Sequence, residues 1–101
     1  MKFSTSKKQL QSSLLKLSKV IPSRSTLPIL SNVLLSVKEN ESILRATDLE
    51  VSLKIKLPTS VERIGEITVP LYSVLGVINE YNEDTRLTFE VLENKIIISS
   101  D

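Results

Sequence analysis

Apolar positions in this chain follow two periods. Leu10, Leu14, Leu17 and Ile21 recur at helical spacing and form one stripe. Ser6 precedes them, with Gln9 three residues on, which is the Ser-x-x-Gln pattern of a capping box. A helix is therefore predicted from Ser6 to Ile21. Pro22 ends it, because proline has no N–H to donate and disfavours a helical residue before it. Residues 1 to 5 read as a short strand, and residues 22 to 28 as a polar loop. Residues 30 to 38 and 43 to 47 read as strands. Val51-Ser52-Leu53-Lys54-Ile55-Lys56-Leu57 alternates apolar with polar throughout, the pattern of a half-buried strand. Residues 58 to 63 read as a loop and 64 to 69 as another strand.

Pro70 suits the first turn of a second helix. Leu71, Leu75 and Ile78 share one face there, which Val74, Val77 and Tyr81 widen. Asn82-Glu83-Asp84 ends that helix. Strands follow near 86 to 92 and 95 to 100, joined at Glu93-Asn94. The order is β-α-β-β-β over residues 1 to 57 and β-α-β-β over 64 to 101. The second half repeats the pattern of the first, one strand short. The fold class is α+β, with two helices on one face of antiparallel sheets, in one domain.

Composition narrows the chemistry. The chain has 101 residues, with neither cysteine nor histidine. Thiol nucleophiles, disulfides, histidine triads and Cys/His zinc sites are excluded. Gly65 and Gly76 are the only glycines, so no glycine-rich phosphate loop exists. The longest apolar runs, such as Val33-Leu34-Leu35 and Ile96-Ile97-Ile98, are far too short to span a membrane. The amino terminus lacks the apolar core of a targeting signal. The expectation is a cytoplasmic, membrane-free protein.

Net charge is only +1, but the charges are unevenly placed. No acidic residue occurs from Met1 to Lys38. That stretch carries Lys2, Lys7, Lys8, Lys16, Lys19, Arg24 and Lys38. Lys8, Ser12 and Lys19 fall on one strip of the first helix, with Lys16 beside it and Leu15 interrupting it. Clustered cations of this kind suit a phosphate backbone. An ordinary solvated lysine face is the plainer alternative. Lysines without aromatics or an arginine array point away from base stacking and base reading, toward contact that ignores sequence. The polar face of the second helix holds Tyr72, Ser73, Gly76, Asn79 and Glu80, with no cation. Asp48 and Glu50 are two apart, the spacing of a paired-carboxylate or Mg²⁺ site, but a turn-forming Asp beside a solvated Glu is the favoured reading, since two carboxylates without a third aligned group are common.

Several segments together resemble a known family. They are the Met1-Lys2-Phe3 opening, Arg24-Ser25-Thr26-Leu27-Pro28-Ile29-Leu30 with Asn32 following, Thr47-Asp48-Leu49-Glu50, and Val69-Pro70 before the second helix. On these the chain resembles, over its whole length, the N-terminal domain of the bacterial DNA polymerase III β subunit, the sliding clamp. The resemblance implies a domain of two β-α-β-β-β units, here without the last strand of the second. It implies a homodimeric ring with helices lining the hole, around duplex DNA, tethering the replicative polymerase without catalysis or cofactor. Arg24 is implied to touch DNA, with Lys8, Lys16 and Lys19 as further channel residues. Ser73, Val77 and Tyr81 fall where the other protomer is met; Val77 and Tyr81 read equally as core. Relatives often carry cations where Tyr72, Ser73 and Asn79 stand. Polymerase and clamp loader are implied to bind later domains that this chain lacks, and closure of the native ring needs the missing strand. Two other readings remain open: a generic dimerising β-rich module, and a metal-dependent enzyme at Asp48 and Glu50.

Overall fold

The computed structural model describes residues 1–21, 32–39, 41–47, 50–93 and 95–100. The elements are β1 (Lys2–Ser6), α1 (Lys7–Leu17), β2 (Asn32–Val37), β3 (Ser42–Thr47), β4 (Ser52–Leu57), β5 (Ser60–Arg63), β6 (Gly65–Pro70), α2 (Leu71–Ile78), β7 (Arg86–Leu92) and β8 (Lys95–Ser100). They form two four-stranded sheets, in the orders β5-β1-β7-β8 and β4-β3-β2-β6. All the described pairings are antiparallel.

The two β-α-β units interlock. β1, which opens the first unit, pairs with β7 of the second. β6, which opens the second, pairs with β2 of the first. Neither unit could complete its sheet alone. Phe3 and Phe89 are cross-strand partners and stack with ring centroids 5.1 Å apart. Both lie in one core with Leu10, Leu14 and Leu17 of α1, Leu71, Val74 and Ile78 of α2, and the inward residues of both sheets. Buried polar groups are paired: Thr5 donates its hydroxyl to the Pro58 carbonyl at 2.8 Å, and the Ser42 and Thr59 hydroxyls lie 2.6 Å apart.

α1 begins where the capping pattern places it. The Gln9 N–H donates to the Ser6 Oγ at 3.1 Å, and Ser6 itself is extended at φ −74, ψ 140. The Ser6 hydroxyl also donates to Gln9 Oε1 at 3.2 Å. Replacing Ser6 with alanine should cost about 0.5–2 kcal/mol, read as a lower denaturation midpoint with an unchanged slope.

The structure corrects four sequence expectations. α1 ends at Leu17, not Ile21; Lys19 N–H and Val20 N–H bond three residues back, tightening the exit into a turn. Ile21 stays buried, so the stripe outlasts the helix. Residues 60 to 63 are a strand, not a loop, because β5 completes hydrogen bonds along the free side of β1. In α2 the buried positions are Leu71, Val74 and Ile78, while Leu75 is half-buried and Val77 is 47% exposed. Pro70 caps α2 from the end of β6 and does not enter its first turn.

Candidate nucleic-acid interface

The face of α1 opposite its leucine stripe is the candidate site. Burial of Leu10, Leu14 and Leu17 turns Lys8, Ser12, Leu15, Lys16 and Lys19 outward, and all five are exposed. With Gln11 and Glu83 they line an open groove of about 370 Å³. Leu15, at 49% exposure, sits in the groove among the cations. Lys16 occupies the last turn of α1, where a positive charge is favoured by the helix dipole. Lys7 is buried at 5% exposure and leaves the basic surface on which the sequence alone would count it.

The cations of this strip form no ion pair among the described residues. Ion pairs among the described residues join Lys2 to Glu62, Lys56 to Glu41 and Arg63 to Glu90. All lie on strands or their flanks. None engages Lys8, Lys16 or Lys19, although Glu83 borders the groove. Three exposed ammonium groups on one side of α1 and the turn that follows it, without carboxylate partners among the described residues, attract an anion with little desolvation to overcome.

α2 lies beside α1. Gln11 Nε2 donates to Asn79 Oδ1 at 2.6 Å, and the Tyr72 hydroxyl donates to the Ile21 carbonyl at 2.7 Å. Asn79 is thus occupied in tying the end of α2 to α1, and Tyr72 in tying α2 to the chain just beyond the end of α1. Nothing in the sequence marks Gln11 as a bridge. Ser73 is exposed and Val77 follows it one turn later; Tyr81 is half-buried and packs on the core. Val77 is therefore not a core residue.

Arg24 and Asp48 lie outside the described residues. Glu50 is exposed. Among the described residues no group of three or more acidic side chains could hold a metal ion, and no helix is long and apolar enough to cross a membrane.

Known proteins share this architecture. The family described as "DNA polymerase III beta subunit, N-terminal domain" matches residues 1–101. A Vibrio harveyi protein named Beta sliding clamp is 36% identical over 102 residues, covering 99% of this chain and 70% of that protein. The Pseudomonas putida Beta sliding clamp is 37% identical over 83 residues, 80% of this chain. The crystal structure of the DNA polymerase III subunit beta from Pseudomonas aeruginosa aligns over 99% of this chain with a TM-score of 0.87 and 32% identity. The Caulobacter crescentus pol III beta structure aligns over 100% with a TM-score of 0.92; at 24% identity it speaks to the fold alone. The chain spans 22% of the length of the Pseudomonas putida protein and 27% of each of these two solved chains. A match across every residue, on a fold of two helices over two four-stranded sheets, means that this chain belongs to the family of DNA polymerase III beta subunit N-terminal domains.

Proposed function

We propose that this chain serves as the N-terminal domain of a DNA sliding clamp, a non-catalytic ring around duplex DNA that tethers the replicative polymerase. The observation that carries the reading is the outward strip of Lys8 and Lys16 on α1 and Lys19 in the turn after it, exposed and without ion-pair partners among the described residues. Three point charges on one face hold phosphates without reading bases, as a protein that must slide requires. Arg24, outside the described residues, is proposed as a further phosphate contact. Ser73, Val77 and Tyr81 face the second protomer, for which the exposed Val77 offers apolar surface. In such a clamp, encirclement and not affinity retains the ring on DNA.

Duplex binding by the chain, followed by fluorescence anisotropy across a salt series, tests this. Binding should be weak, indifferent to base sequence and steeply weakened by salt. Changing Lys8, Lys16 and Lys19 to glutamine should flatten the plot of log affinity against log salt by about 0.9 for each phosphate no longer neutralised, and Arg24→Ala should do the same for one phosphate. A slope unchanged by all four substitutions would remove α1 from the DNA-facing surface. Absence of duplex binding even at low salt would leave only a dimerising β-rich domain.

A further inference from the structure

A second charged surface lies on the far side of the core. Val33, Leu35 and Val37 of β2 and Leu44 and Ala46 of β3 point into the core beneath the helices. Strand alternation sends their neighbours the other way. The register places Thr68, Leu34, Arg45 and Lys54 in one row across all four strands of that sheet. Together with Asn32, Thr47 and Ser52 they line a groove of about 430 Å³, larger than the groove on α1.

Two features set this row apart. Arg45 and Lys54 are direct cross-strand partners, both exposed, and like charges in that position oppose folding. Neither is in an ion pair among the described residues. Lys56, on the same strand, has its carboxylate in Glu41 at 3.6 Å. The second feature is Leu34, half-buried next to Arg45 in the same row, which gives the groove an apolar floor. Cations spread along a helix suit a phosphate backbone; a cation pair adjoining an apolar floor suits a carboxylate-bearing chain with an apolar side chain.

We infer that the outer face of the β4-β3-β2-β6 sheet is a docking surface for an extended acidic segment of another protein. Its carboxylates pair with Arg45 and Lys54, and one apolar side chain rests on Leu34. Charge complementarity selects this occupant: it relieves a repulsion that the folded chain otherwise retains. The surface is separated from the α1 strip by the core, so DNA and such a partner could be held together.

The test is a titration of isotope-labelled chain with a short synthetic peptide in which glutamates flank one central leucine. A lysine-for-glutamate version of the peptide and a short DNA duplex serve as comparisons. The glutamate peptide should shift the resonances of Leu34, Arg45, Lys54 and Thr68 saturably. Arg45→Gln and Lys54→Gln should each weaken it by about two- to fivefold, the range for exposed ion pairs. Their melting temperatures should be unchanged or raised, since each substitution removes one member of a repelling pair. Equal binding of the lysine peptide, indifference to both substitutions, or shifts confined to Lys8, Lys16 and Lys19 would overturn the inference. Equal binding of the duplex in the same groove would assign the surface to nucleic acid instead.

Discussion

Replacing Leu14 with alanine is expected to destabilise this domain by about 2–5 kcal/mol, a large part of the stability of a chain this size. Leu14 is 1% exposed and belongs to the cluster that joins α1 to both sheets. The lost methyl groups forfeit their burial, and the surrounding strands are too constrained by their ladders to close the cavity. Denaturant unfolding should show the midpoint falling while its slope stays constant. Lys16→Gln, two residues along the same helix, provides the contrast. It should alter stability by less than about 0.5 kcal/mol, yet reduce the salt dependence of duplex binding. Leu14 thus positions the face that Lys16 presents. A Leu14→Ala cost below about 1 kcal/mol would mean that α1 is not docked by this stripe.

What could be read from the sequence was local. The Ser6–Gln9 cap, the leucine stripe of α1 and the alternation of β4 each depend on neighbours within a few residues, and each is present in the structure. What escaped was set by distant partners. β5 has a single apolar residue, Val61, and becomes a strand only because β1 offers it hydrogen bonds. The interlocking of β1 with β7 and of β2 with β6 is likewise invisible in a pattern that shows each unit as self-sufficient. In α2 an apolar surface runs most of the way round, so periodicity admits several buried faces; packing chose Val74 and turned Val77 outward. Lys7 misled for the same reason, since a charge count does not know which side of the first turn faces the sheet. Lys54 is outward by alternation, but its confrontation with Arg45 depends on register. The basic strip was legible because Lys8, Lys16 and Lys19 lie within α1 and the turn that directly continues it; Arg24 lies outside the described residues.

The polypeptide of residues 1–101 should associate with itself through β8. This strand ends its sheet and pairs only with β7 among the described residues. The other edge strands carry charge or proline: Lys54 and Lys56 on β4, Glu62 and Arg63 on β5, Glu66 and the terminal Pro70 on β6. Such charges discourage edge pairing between chains. β8 has Ile96, Ile97 and Ile98 in succession, and its one charge, Lys95, stands at its start. Ile97 is 45% exposed, so an apolar side chain lies beside the open backbone groups. Two copies of β8 running antiparallel, centred on Ile97, would set each Lys95 opposite a Ser99 and bring no like charges together. Sedimentation should show a mass that rises with protein concentration. Ile97→Lys should shift it back toward the monomer, weakening association about tenfold if the lost Ile97–Ile97 pair and the new lysine–lysine repulsion each weaken it by roughly 0.5–1 kcal/mol. The substitution is at an exposed position and should leave thermal stability nearly unchanged. A chain that stays monomeric at high concentration would show that β8 is already protected. A dimer indifferent to Ile97→Lys would move the interface elsewhere, with the exposed Val77 on α2 as the next surface to vary.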